Sequence, residues 1–368
     1  LSQNSANCIV QDSRGYIWVA TFDGLNRFDG EEFKVFRNDP FDQESLIDSG
    51  VTWLAPTEAG RLWIATREGL DCYSPQDGSF VHYTHDPDRP QSLSDNFVYF
   101  VMVDSRGSLW AGTHKGGLNR LDAGEEEFRH YTHSEEDSQT LDSNLVYCVY
   151  EDSAGMIWVG TDKGLQSLER ESGRVTRYPH PDEGFGEVYC IFEDSRQRLW
   201  ATSYGGGLAH LERSTGRFTT YTTAGRSADG AGVESAAAAG TSSENAAAQL
   251  PAADAATTGV LSTERVSAGR LPAGRLQSNN VQFINEDSRG CLWVATDGAG
   301  VAKFFPEENR FIHFRHDPLA DSSLAANNVV YIHRDTAGLM WFGTYENGLS
   351  THNPDKPFLH YRKKAVPQ

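Results

Sequence analysis

Glu151-Asp152-Ser153-Ala154-Gly155-Met156-Ile157-Trp158-Val159-Gly160-Thr161-Asp162-Lys163-Gly164-Leu165 is the stretch on which the fold turns. It reads as an Asp-x-x-Gly turn, two residues, a Trp, a Thr three further on, and a Gly-Leu step. The same pattern recurs as Asp12…Trp18…Thr21, Asp104…Trp110…Thr113, Asp287…Trp293…Thr296 and Asp335…Trp341…Thr344. Two copies depart from it. Thr57…Trp63…Thr66 has lost the Asp, and Asp194…Trp200…Thr202 is one residue tighter, has Gln197 in place of the turn Gly, and carries Ser203 in the in-register hydroxyl position. The Trp-to-Trp spacings are 45, 47, 48, 42, 93 and 48 residues.

An apolar run precedes each Asp, as in Val98-Tyr99-Phe100-Val101-Met102-Val103. An aromatic pair three residues apart follows most Gly-Leu steps, as in Phe128/Tyr131 and Phe218/Tyr221. Each repeat thus holds four short β-like runs separated by turn residues, with no helical periodicity of useful length. Asp in such a turn bonds the backbone two residues on, and Gly accepts φ > 0. Four strands recurring about every 45 residues mark propeller blades. Seven copies predict an all-β, seven-bladed β-propeller with four antiparallel strands per blade, one domain over 1–368. The Trp fills the gap between blades, burying roughly 150–250 Å² worth about 4–6 kcal/mol before entropy is subtracted.

The 93-residue gap equals one repeat plus a stretch without aromatic residues that runs through Ala236-Ala237-Ala238-Ala239 and Ala246-Ala247-Ala248. Residues 224–275 read as a flexible Ala-rich insertion between blades 5 and 6. Whole blades are present from Leu1 to Tyr361, so ring closure is expected to rest on blade 1 packing against blade 7.

Composition narrows the functional classes. With 32 Lys+Arg against 51 Asp+Glu the net charge is −19, the reverse of what phosphate neutralisation by a nucleic-acid binder requires. No run of 18 apolar residues is present, so no membrane contact is expected of this stretch. Cys8, Cys148 and Cys190 occupy equivalent places four residues before a repeat Asp and read as buried free thiols. His82-x-x-His85, His130-x-x-His133 and His313-x-x-His316 fall at ends of fourth strands. Residues three apart on a strand face opposite ways about 10 Å apart, so these pairs predict a polar edge and no metal site. The Gly clusters precede strands rather than helices and lack a phosphate-holding dipole. No catalytic or cofactor motif is present, and the reading is of a non-enzyme without cofactor.

The varied residues gather on one face. Loops joining strands 2–3, and strand 4 to the next strand 1, carry Phe22-Asp23, Arg67-Glu68, His114-Lys115, Asp162-Lys163, Ser203-Tyr204, Asp297 and Tyr345-Glu346-Asn347. The opposite loops carry the monotonous Asp turns. Variation over a constant scaffold is how rigid β folds host binding. Near the axis on that face are expected Asn4, Asn96, Asn144, Asn279 and Asn327, capping first strands, with Tyr99, Tyr147, Tyr189 and Gln282 three residues further in. The candidate ligand-binding set is Tyr99, Tyr147, Tyr189, Asn96, Asn144, His114, Lys115, Asp162, Lys163 and Tyr204, centred on blades 3 to 5. Aromatic rings beside amides and charged loop tips suit a small polar organic molecule or a glycan.

The segment from Glu151 to Leu165, and Gln11-Asp12-Ser13-Arg14-Gly15-Tyr16-Ile17-Trp18-Val19-Ala20-Thr21, resemble the two-component regulator propeller repeat. The resemblance covers the chain outside the Ala-rich stretch. It implies the periplasmic sensor part of an inner-membrane receptor, with a kinase or diguanylate cyclase output, further domains of the same receptor as partners, and a homodimer. Two other readings stand beside it. One is a lyase resembling the propeller streptogramin lyases, which act through His with a divalent metal; His114 and His333 are the histidines placed nearest the axis. The other is a pure protein–protein interaction scaffold.

Overall fold

A computed structural model describes residues 1–180, 185–228, 274–353 and 358–362. The seven Trp repeats become seven antiparallel sheets, each built from consecutive strands in chain order. Blade 3 is representative, with strands Val98–Val103, Leu109–Thr113, Leu118–Leu121 and Phe128–Tyr131. The first strands of all blades are Cys8–Gln11, Val51–Pro56, Val98–Val103, Val146–Glu151, Val188–Glu193, Val281–Glu286 and Val329–Arg334. Each contacts the first strand of the next blade, and the last contacts Cys8–Gln11, closing the ring. Among the described residues the one helical element is a 3₁₀ turn, Pro306–Glu308.

The repeat Asp does more than shape its turn. Its Oδ1 accepts from the backbone N–H groups two and four residues on, as Asp152 does from Ala154 and Met156. Its Oδ2 accepts the indole N–H of the Trp six residues on, at 2.7–2.9 Å in all six copies that have the Asp. A buried indole N–H needs such a partner. Trp18, Trp110, Trp158, Trp200, Trp293 and Trp341 are all at most 4 % exposed. Where Thr57 replaces the Asp, Thr57 turns to Arg61, and Trp63 is only half-buried. The Trp rings bridge seams as expected: Trp18 meets Tyr73, Trp200 meets Phe304, Trp293 meets Phe342, and Trp341 meets Phe28 across the closing seam.

The residue before the repeat Asp latches neighbouring blades. Glu151 accepts from the Ser105 backbone, Glu193 from Ser153 and Glu286 from Ser195. Gln11 does the same for Thr336 at 2.8 Å, so ring closure between blades 7 and 1 uses the ordinary seam device without an exchanged strand. Arginines reinforce it: Arg170 bonds Asp104 and Glu151, and Arg213 bonds Glu193.

At the axis, four aromatic side chains meet. Trp53 lies 4.4 Å from Phe100, 5.1 Å from Tyr331 and 5.9 Å from Phe283 between ring centroids, and Phe283 lies 4.2 Å from Tyr331. Blades 1, 4 and 5 place Cys8, Cys148 and Cys190 at the same level. All five cysteines are buried free thiols, and burial pushes Cys8 and Cys190 up to about 12. Small residues on three blades make room for large rings on four. The plug divides the channel into a mouth on the varied-loop face and a cavity of about 390 Å³ on the Asp-turn face.

The stretch read as an insertion begins with structure: Gly225–Ala228 pairs as a fifth strand with Arg217–Thr222 of blade 5. Residues 229–273 of it lie outside the described residues.

Candidate functional site

The mouth is built by a bulge that the repeat carries in six blades. In blade 3, Gly112 pairs with Phe100 but Thr113 pairs with Val98, leaving Tyr99 as an extra residue. The same slip frees Thr52, Tyr147, Tyr189, Gln282 and Val330. A bulge re-aims its extra side chain. Here the extra residues collect around the axis, where the rings of successive blades meet.

Tyr99, Tyr147 and Tyr189 form one continuous arc. The Tyr147 and Tyr189 rings stack at 4.6 Å and 18°, and Tyr99 stands edge-on to Tyr147 at 5.5 Å. Phe97 stacks on Tyr99 at 4.6 Å, and His114 packs against both. Tyr204 extends the arc from Tyr189 at 6.3 Å and donates its hydroxyl to Asp297 at 3.2 Å. Asp297 leads into a second hollow of about 340 Å³, lined by Gln282, Asn328, Val330, Tyr345 and Glu346. Tyr345 touches Phe22, over which the Arg67 guanidinium sits. The seven varied loops thus ring the mouth.

Carboxylates punctuate the arc. Tyr189 donates to Glu187 at 2.8 Å. Burial and then the charge of Glu187 hold the Tyr147 phenol above its ordinary value, and burial does the same to Tyr189 with Glu187 adding to it. Among the described residues no donor reaches Asp162 Oδ1, although that atom is shut off from solvent. The neighbouring Asp142 takes bonds from Thr161 and Gln166 and is raised by burial.

Of the residues singled out from sequence, Tyr99, Tyr147, Tyr189, His114 and Tyr204 come together, with Asp162 beside them. Lys115 and Lys163 stand exposed at loop tips. Asn96 and Asn144 are engaged elsewhere: their Oδ1 atoms accept from the backbone N–H of His85 and His133, at 2.6 Å each, tying each first strand to the blade before it. Asn279 and Asn327 do the same for Thr223 and His316. Phe97 and Glu187 were missed. Both lie two residues before a bulge tyrosine, which is the one signal that could have found them.

The fourth-strand histidines hold loops. Imidazole nitrogens of His82, His130 and His313 bond the carbonyls of Gln43, Ser92 and Arg275, while His85, His133 and His316 bond those of Leu93, Leu141 and Leu324. Among the described residues no group of His, Cys, Asp and Glu is arranged to hold a metal ion. His114 is at the mouth, whereas His333 sits next to last in Val329–Arg334, beyond the plug.

Comparison with known proteins agrees with this geometry. The extracellular domain of a hybrid two-component system from B. thetaiotaomicron superposes with a TM-score of 0.72 at 23 % identity, over 95 % of this chain and 40 % of that one. The extracellular domain of a one-component system from the same organism gives 0.65 at 18 %, over 95 % and 38 %. The chain therefore spans about two-fifths of those domains. A streptogramin B lyase shares the fold, with a TM-score of 0.62 at 13 % identity over 95 % of this chain and 94 % of that one. A 46-residue stretch is 54 % identical to histidine kinase P4 of Formosa agariphila, covering 12 % of this chain and 3 % of the kinase. The two-component regulator propeller model matches residues 1–23, 92–115, 140–163, 275–298 and 323–346. These fall in blades 1, 3, 4, 6 and 7, and the two unmatched blades are those marked by Thr57 and Gln197. Five of its seven blades thus carry a match to the two-component regulator propeller repeat.

Proposed function

We propose that this propeller is the extracytoplasmic sensor part of a bacterial membrane-bound signalling receptor, and that it takes a small polar organic ligand or glycan at the mouth of its plugged channel. The observation that carries the reading is the arc of Tyr99, Tyr147, Tyr189 and Tyr204. Rings brought into one contiguous arc by backbone bulges, over a closed floor, give a preorganised surface on which a ligand can be seated. The likeness to extracellular domains of a two-component and a one-component system supports the setting. Among the described residues no helix is long and apolar enough to cross a membrane. The proposed receptor includes an anchor, an output domain and a second copy as further parts. The enzyme reading has less support, because the plug lies between His114 and His333.

Thermal-shift screening of the domain against sugars, oligosaccharides and peptides tests the proposal. A binder is expected to raise the midpoint of the wild type but not of Tyr147→Ala. Silence across the panel, or a shift that survives Tyr147→Ala, would refute ligand sensing at this mouth.

A further inference from the structure

On the Asp-turn side of the plug, the innermost strands bring a second set of large side chains to the channel. Two residues beyond the plug level stand Ala55, Met102, Tyr150, Phe192 and Asn285, on blades 2 to 6. They wall the cavity of about 390 Å³, and Trp53, Phe100 and Phe283 of the plug form its floor. Met102, Tyr150, Phe192 and the three floor rings are each only partly buried, although they belong to the most interior strands of the ring. Tyr150 and Phe192, from neighbouring blades, lie 6.4 Å apart between ring centroids. Single apolar side chains open to water mean little, but gathered in one concave space they mark a ligand site. The volume falls within the roughly 300–1,000 Å³ of small-molecule sites.

Charge at this end is already balanced within the protein. Glu151 is the carboxylate that reaches the cavity, and Arg170 neutralises it; Arg213 does the same for Glu193 on the next blade. Burial pushes the Tyr150 phenol up to about 12, so it stays neutral. The Asn285 amide supplies a polar group in the wall. It gives one N–H to the Ile332 carbonyl at 3.1 Å and accepts from the Glu286 N–H at 2.7 Å, and an amide has a second N–H and a second lone pair to offer. We infer that this cavity is a second binding site, across the plug from the mouth, and that it takes an uncharged aromatic molecule of one or two rings bearing at most one hydroxyl. A flat ring gains offset or edge contacts with Tyr150, Phe192 and the floor, and the Met102 thioether adds to them. The closed floor excludes a chain threaded along the channel. An ion would lose its hydration here with no unpaired opposite charge to replace it. The inference stands independently of any ligand at the mouth.

Three probes of one shape decide it: 2-naphthol, 2-naphthoate and 2-naphthylmethylammonium, titrated into the protein with the NMR signals of isotope-labelled methionine methyl groups as the readout. The chain has three methionines, of which Met102 lines the cavity while Met156 and Met340 do not. 2-Naphthol should shift the Met102 methyl saturably and leave the other two in place, at concentrations about tenfold below those the charged probes need. Met102→Trp, which grows into the cavity, should abolish the rise in thermal midpoint that 2-naphthol gives the wild type. Equal response to the three probes overturns the uncharged assignment. A Met102 signal that stays still, three methyl signals that move together, or a thermal shift undiminished in a folded Met102→Trp overturns the site itself. The wild-type titration decides the matter even where that variant fails to fold.

Discussion

Exchanging the turn residues of blades 7 and 2 tests the central structural claim, that the repeat Asp is present for its Trp. In blade 7, Asp335 accepts from the Ala337 and Leu339 backbones at 3.0 and 2.9 Å and from the Trp341 indole at 2.8 Å. Thr57, its counterpart in blade 2, keeps one of these three, the bond from Arg61 four residues on. Asp335→Thr should therefore lose two hydrogen bonds to a charged acceptor. The Ala337 N–H is exposed and rehydrates at little cost. The Trp341 N–H belongs to a ring only 4 % exposed and is left without its acceptor, so the sum is about 3 kcal/mol. Thr57→Asp should gain about 1 kcal/mol, less because Trp63 is half-buried and its N–H can already reach water. Urea denaturation followed by far-UV dichroism measures both, with an unchanged slope as the sign that only stability moved. Charge alone predicts the reverse: at net −19, removing a carboxylate relieves self-repulsion and adding one increases it. If Asp335→Thr is neutral or stabilising, the Asp is a turn former and nothing more.

Two further outcomes follow from single residues. Gln197 occupies the left-handed region at φ 62°, where the six other turns have Gly15, Gly60, Gly107, Gly155, Gly290 and Gly338, so Gln197→Gly should stabilise by about 1 kcal/mol in the same denaturation assay, and a loss would show that the Gln side chain supports the turn. Burial lowers His333 to about 4, so the folded state disfavours its charged form; the stability this brings is complete above the unfolded value near 6.5 and is lost as pH falls from there toward 4, about 3 kcal/mol in all. His333→Met, the residue at the matching place in blade 3 (Met102), should remove that part of the acid sensitivity, and equal midpoint drops for variant and wild type between pH 7.5 and 4.5 would contradict it.

The blades were legible in sequence because the signal repeats: one Trp in a Gly-rich chain says little, but Trp158 and its in-register copies fix strand, turn and seam together. Tyr99, Tyr147 and Tyr189 were legible as a level of the ring, since each stands five residues before an Asp. The bulge that aims them was not, because it is visible only once Gly112 is seen opposite Phe100 and Thr113 opposite Val98. The same limit hid the partners of Asn96 and Asn144. An Asn near the axis in sequence register turned out to bond His85 and His133, eleven residues back, because the chain crosses from an outermost to an innermost strand in between. Seam pairs such as Arg170 with Asp104 join residues of different blades, and nothing in the composition of either blade announces them.

Departure from the repeat does not by itself mark function, and the channel shows why. A ring of seven equal residues at the axis would leave a hole if they were small and would collide if they were large. The plug level must therefore break symmetry for packing alone, and it does so with Trp53, Phe100, Phe283 and Tyr331 against Cys8, Cys148 and Cys190. Large and small sizes compensate there, and the rings bury one another. One step toward the mouth, the bulge residues also vary, but they do not compensate: Tyr99, Tyr147 and Tyr189 on blades 3 to 5 stand at the same level as Gln282 and Val330 on blades 6 and 7, and Asp162 and Glu187 form no ion pair among the described residues. A level whose irregularities cancel is explained by the fold. A level whose rings stay half-open and whose charges stay unpaired needs something outside the chain to complete it, and that difference separates the mouth of this propeller from its plug.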